Sequence, residues 1–115
     1  TISSSKLYDL VGTEINLGDL CDDGSQMRPH IVWFGEPVPM MEKAIDIVQE
    51  SDYLIIIGTS LMVYPASGLI DYARVNVKKF YIDLDAKSNL NRNDIELISM
   101  RASEGVKSLV KRLME

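Results

Sequence analysis

The amino-acid sequence predicts an α/β domain with a parallel sheet. Two apolar runs, Asp52 to Ile57 and Phe80-Tyr81-Ile82, are separated by a stretch of helix length, and each stops at a short polar turn. The first run carries Leu54-Ile55-Ile56-Ile57 without alternation, which predicts a strand buried on both faces, as helix-covered parallel strands are. Polar atoms appear only at its carboxyl end, in Gly58-Thr59-Ser60, and ligands of open α/β sheets sit in the crevice at that end.

The elements follow in order. Residues 1–27 mix Ser3-Ser4-Ser5, Gly12, Gly18 and Asp22-Asp23-Gly24-Ser25 with short apolar islands, a composition of loops or of a small module. A boundary is expected near Arg28, with 28–115 forming the sheet domain. Ile31-Val32-Trp33-Phe34, closed by Gly35-Glu36-Pro37, predicts a first strand. Pro39 opens a helix whose Met41, Ala44, Ile45 and Val48 share one face. After the Asp52 to Ile57 strand, Pro65 starts a second helix with Ala66, Leu69, Ile70 and Ala73 inward, and Phe80-Tyr81-Ile82 makes the next strand. Lys87 to Asp94 predicts a loop, Ile95 to Met100 a last strand, and Ser103 the cap of a helix with Val106, Leu109, Val110 and Leu113 on one face.

Composition narrows the function. The chain has 115 residues, enough for one core but short for a dinucleotide-binding enzyme with two mononucleotide halves. It begins at Thr1 without an initiator methionine, signal sequence or spanning apolar segment, and is expected to be a piece of a larger soluble, cytoplasmic protein with no membrane partner. The single cysteine, Cys21, excludes an intrachain disulfide framework and cannot alone build a four-ligand zinc site. A net charge of −5 disfavours nucleic acid, whose affinity comes from clustered Lys and Arg.

Candidate chemistry gathers at three strand ends. Gly58-Thr59-Ser60 offers close backbone approach, two hydroxyls and successive N–H groups suited to phosphate or ribose oxygens, although such residues are common in any strand-to-helix turn. Asp83 and Asp85 flank the exit of a parallel strand, where a carboxylate can accept both hydroxyls of a ribose, or where Asp simply forms a turn. The glycine-rich phosphate loop that usually accompanies such a carboxylate is absent from the chain.

The third end carries the most specific signal. Arg28-Pro29, Phe34-Gly35-Glu36, Gly58-Thr59-Ser60-Leu61, Val63 and Pro65 stand in an order and approximate spacing that resembles the sirtuin family of NAD-dependent protein lysine deacylases. The resemblance covers roughly the last three quarters of the chain and the second half of the family's catalytic core. It implies a Rossmann-like parallel sheet with flanking helices. It also implies NAD as cofactor, contacted by Gly58, Thr59, Ser60, Asp83, Leu84, Asp85 and Ala102. Asp83-Leu84-Asp85 stands where sirtuins usually have Asn-Leu-Glu, so Asp83 departs from the pattern while Asp85 keeps the carboxylate. The implied partner is an acylated lysine peptide or protein, with Val32 and Phe34 walling the acyl-lysine tunnel and Gly35, Glu36, Leu61, Met62 and Val63 edging the peptide.

The same resemblance implies attack of the acyl oxygen on the nicotinamide ribose and acyl transfer to a ribose hydroxyl. The histidine that activates this step belongs upstream, as does the glycine-rich loop, so His30 is not expected to be catalytic and the fragment alone is expected to be inactive. The paired cysteines that most sirtuins place before the Arg-Pro strand are reduced here to Cys21, and zinc is not expected. An NAD hydrolase or ADP-ribose-handling defence module on a related core is the alternative, and a binding-only module is a third. Retention of the peptide-edge residues favours the deacylase.

Overall fold

The computed structural model describes residues 6–86, 90 and 92–115 and divides the chain into two compact units, the first ending at Pro37 and the second comprising Val38–Glu115. In the second unit the order is helix α1 (Met41–Glu50), strand β1 (Tyr53–Ile57), a 3₁₀ segment (Ala66–Tyr72), strand β2 (Lys78–Ile82), strand β3 (Ile95–Ile98) and helix α2 (Ala102–Met114). The strands form one parallel sheet in the order β1-β2-β3. Loop residues 87–89 and 91, part of the expected Lys87 to Asp94 loop, lie outside the described residues.

The sheet sorts its side chains by the period-two pleat. Paired residues of parallel strands point the same way, so the register Leu54↔Lys79, Ile56↔Tyr81 and Tyr81↔Leu97 defines one face, and Ile55↔Phe80, Ile57↔Ile82 and Ile82↔Ile98 the other. On the first face Tyr81, Ile70, Ala86 and Ile95 form a buried cluster that Leu54, Ile56, Leu61 and Leu97 join. On the second face Phe80, Ile82 and Leu109 form another, flanked by Ile98, Val106 and Leu113. Each fully buried large side chain of this kind stabilises the fold by roughly 1.5–3 kcal/mol. Helix α1 packs on the 3₁₀ segment through the face that carries Met41, Ala44, Ile45 and Val48.

Several sequence expectations change. Ile31-Val32-Trp33-Phe34 forms no strand and is exposed, because a strand needs a ladder partner and none pairs with it among the described residues. Strand β1 is not buried on both faces. It is an edge strand, with Tyr53, Ile55 and Ile57 exposed, because α2 is centred on Phe80 and Ile82 and stops short of it. The element after Pro65 is a 3₁₀ turn rather than an α-helix, with Ile70 buried and Ala66 exposed. Its first turn is closed by the Gly68 N–H on the Pro65 carbonyl three residues back, at 3.0 Å, the bond of the tighter helix. The last strand ends at Ile98, two residues before Met100. Ser103 does not cap α2: the flanking residue is Arg101, extended at φ −61°, ψ 142°, and Ser103 falls inside the first turn. Val110 is half-exposed, on the margin of the helix's inner face.

Two further contacts fix the second unit. Lys79 is buried, and its Nζ meets Asp94 at 3.4 Å and the Arg74 carbonyl at 3.4 Å, so the buried charge is paired. Asp94 is pulled down to about 2, chiefly by hydrogen bonds from the Arg92 guanidinium, which also bonds Asp71. Helix α2 approaches β2 so closely that a Cβ at Gly105 would stand 2.6 Å from Cγ2 of the fully buried Ile82. Gly105→Ala is therefore expected to destabilise the protein by about 1–3 kcal/mol through overpacking, although alanine has the better helix propensity. Urea unfolding checks this; an unchanged or raised midpoint would mean that the helix rides further from the strand.

Candidate functional site

The parallel register brings two of the polar turns to one place. Ile57 pairs with Ile82 and Ile82 with Ile98, so the three strands end level. The Gly58 N–H continues the ladder to the Ile82 carbonyl at 2.9 Å, and the Asp83 N–H does the same to Ile98 at 3.2 Å. The turns after β1 and β2 thus leave the sheet side by side. Between them and the start of α2 lies a cleft of about 420 Å3, lined by Gly58, Ile82, Asp83, Leu84, Asp85 and residues 100–103. Its size suits a small-molecule ligand.

Of the expected cofactor residues, Gly58, Asp83, Leu84, Asp85 and Ala102 line this cleft, and Thr59 and Ser60 do not. Gly58 has φ +60° and open space where a Cβ would stand, so the backbone there can be approached closely. The Asp83 carboxylate accepts the Asp85 N–H at 2.9 Å, the turn-forming use of an aspartate. The Thr59 hydroxyl oxygen accepts the Leu61 N–H at 3.2 Å, and the Thr59 carbonyl accepts the hydroxyl of Tyr81 at 2.6 Å. Leu61 has φ +56°, the left-handed region that non-glycine residues rarely occupy.

Met100, Arg101 and Ser103 line the cleft and were not among the expected contacts. The available signal was their adjacency to Ala102 at a strand-to-helix junction. A larger cleft, about 550 Å3, lies at the amino ends of β2 and β3, where Lys79 with Asp94 and Arg112 with Glu96 already pair.

Of the expected peptide residues in this unit, Leu61 packs against the buried cluster while Met62 and Val63 are exposed. In the first unit, Trp33 to Glu36 forms a turn closed by the Glu36 N–H on the Trp33 carbonyl at 3.0 Å, with Gly35 at φ +87°. The Glu36 carboxylate accepts the Trp33 N–H at 3.1 Å and the Arg28 Nη2 at 3.0 and 3.1 Å. Those contacts, the Trp33 N–H first and the Arg28 guanidinium after it, hold Glu36 below its usual carboxylate range. Val32 and Phe34 are exposed beside this turn. Ahead of it, a small loop closes through Cys21 N–H to the Ser25 carbonyl and Gly24 N–H to the Cys21 carbonyl. The Cys21 sulfur lies 2.9 Å from Asp23 Oδ1 and from the Ser25 carbonyl.

A family model described as Sir2 family matches residues 4–65, more than half of the chain. The chain belongs to the Sir2 family. An NAD-dependent protein deacylase of Helicobacter pylori is 44% identical to it over 102 residues, which cover 89% of this chain and 44% of that protein. A crystal structure of a Sir2 homologue in complex with NAD superposes with a TM-score of 0.67 at 31% identity, over 83% of this chain and 38% of that one. A Sir2 bound to acetylated peptide superposes with a TM-score of 0.61 at 29% identity, over 83% and 41%. The Sir2-family chain therefore spans less than half the length of these relatives. Its three-stranded parallel sheet with flanking helices is part of the Rossmann-like sheet of the family.

Because Arg28 is one of the groups that hold Glu36 ionised, Arg28→Met is expected to move the Glu36 titration upward, toward the ordinary 4.5. The sign follows from removing a cation beside a carboxylate. Carboxyl NMR titration reads it, and an unmoved or lowered midpoint would contradict the pairing.

Proposed function

We propose that the protein carrying this chain is an NAD-dependent protein lysine deacylase, to which the chain contributes part of the NAD site and part of the peptide-binding surface. The observation that carries the reading is a cleft at the carboxyl ends of β1 and β2, where a glycine turn, an acidic turn and the first turn of α2 converge. The deacylase relative from Helicobacter pylori and the Sir2 structures with NAD and with acetylated peptide support it.

The donors present fit a dinucleotide. Gly58 leaves room for close approach. Asp85, which keeps the carboxylate of the family's pattern and lines the cleft, is the group we assign to the ribose hydroxyls. Leu84 and Ala102 supply apolar wall, and Thr59 and Ser60 complete the turn beside it. NAD, when bound, supplies the ADP-ribose that takes up the acyl group. The part of these residues is positioning, and alignment of reacting groups is worth several kcal/mol of barrier.

For the substrate, each unit offers suitable surface by itself. Val32 and Phe34 expose apolar side chains at the turn that carries Gly35 and Glu36, and Leu61, Met62 and Val63 form an apolar segment next to the cofactor turn. An acyl-lysine stem is neutral and apolar and favours such walls. The lone Cys21, engaged by Asp23 and Ser25, is in keeping with a branch whose small module needs no zinc, and with a reducing, cytoplasmic setting.

The test is nicotinamide release by the full-length protein with NAD, with and without an acyl-lysine peptide. Peptide-dependent release is expected, whereas equal release without peptide would sink the deacylase reading in favour of an NAD hydrolase. In the same protein Asp85→Asn is expected to weaken NAD binding about 10- to 100-fold, the range for a hydrogen bond to a charged group. Calorimetric titration checks it, and wild-type affinity in the variant would remove Asp85 from the site.

A further inference from the structure

Tyr81 stands in the middle of β2 with none of its surface exposed. Its ring packs with Ile70, Ala86 and Ile95, a place that a phenylalanine would fill as well. The hydroxyl adds nothing to that packing and, once buried, requires a partner. It donates to the carbonyl of Thr59, 2.6 Å away and 22 residues earlier, in the turn that follows β1.

That turn departs from relaxed backbone. Leu61 holds φ +56°, a conformation that non-glycine residues rarely adopt and that persists only where surroundings impose it. Three contacts impose it here: Leu61 packs into the cluster that contains Tyr81, its N–H is taken by the Thr59 hydroxyl oxygen, and the Thr59 carbonyl is taken by Tyr81. The carbonyl contact ties the turn to β2, as the Gly58 N–H bond to the Ile82 carbonyl does one residue earlier.

We infer that Tyr81 is a positioning residue for the dinucleotide, its buried hydroxyl holding the Gly58-Thr59-Ser60 turn in the conformation that receives NAD; this rests on the reading of the cleft as the NAD site. Without the hydroxyl the turn samples other conformations, and only a fraction of molecules is competent to bind. The loss therefore falls on NAD affinity, reaches the peptide only through Leu61, and leaves the reaction at saturating NAD and peptide alone.

The experiment compares the full-length wild type, Tyr81→Phe and Ile70→Val, the last trimming the same buried cluster while leaving the Tyr81 hydroxyl on the Thr59 carbonyl. NAD binding is followed by calorimetric titration, KM for NAD and for acyl peptide by steady-state kinetics, and stability by thermal unfolding. Tyr81→Phe is expected to raise the Kd and KM for NAD about fivefold, the net worth of one hydrogen bond, with a smaller rise in peptide KM and kcat changed by less than about twofold. Ile70→Val is expected to lower the melting temperature and leave NAD binding unchanged. Wild-type NAD affinity in Tyr81→Phe, or an equal loss of affinity in Ile70→Val, would overturn the inference. A wild-type protein that binds no NAD would instead overturn the site reading, and the inference with it.

Discussion

The in-register parallel pairing of β1 with β2 is the constraint on which the rest of the second unit depends. Because Ile57 pairs with Ile82, and Gly58 adds one more ladder bond to the Ile82 carbonyl, the two polar turns begin at the same height. A slip of one residue would reverse every side chain on β1, exposing Leu54 and Ile56 and turning Ile55 and Ile57 into the cluster that surrounds Tyr81. Since β1 is apolar on both faces, its pattern alone does not set that register, and the bonds of the following turn, Gly58 to Ile82 and Tyr81 to Thr59, resist the slip. Core packing and cleft geometry are in this sense one arrangement, and the cleft inherits its precision from burial that lies beneath it.

The third wall of the cleft depends on a missing side chain. Gly105 lets α2 close upon Ile82, and the first turn of the helix is thereby set beside Asp83 to Asp85. Glycine in a helix interior is intrinsically unfavourable by about 1 kcal/mol, so its presence marks a packing requirement. The opposite happens at Leu61, where a residue with a side chain occupies backbone space suited to glycine, held by its own packing and by the Thr59–Tyr81 link. Both positions trade local propensity for the placement of a neighbouring turn.

The same face of the sheet shows where covering stops. Phe80 and Ile82 lie under Leu109, with Arg112 stacked 5.5 Å from the Phe80 ring centroid, while the adjoining Tyr53, Ile55 and Ile57 remain exposed. The uniformly apolar character of β1 suits burial on both sides, and its exposure follows from its edge position in this chain, which spans under half the length of its relatives.

Much of the arrangement was legible in the sequence because it is written in local terms. The periodicity of α1, the aliphatic run of β1, the Gly58-Thr59-Ser60 turn and the motif that marks the Sir2 family depend on residues near one another in the chain. Gly58, Asp83, Leu84, Asp85 and Ala102 were expected at one cleft and line one. What depends on distant residues was not legible. Ile31 to Phe34 has strand composition but no described ladder partner, the Ser103 hydroxyl sits two residues too far in to cap, and Asp83 turns out to take the Asp85 N–H on its Oδ1. The roles of Tyr81 and Gly105 appear only in three dimensions, since a hydroxyl and a missing Cβ acquire meaning from the atoms opposite them. Sequence alone determined the class of fold and the strand ends that carry the chemistry, through side-chain periodicity; the tertiary structure decided which strand lies at the edge and what holds the turns, because those follow from contacts between segments far apart in the chain.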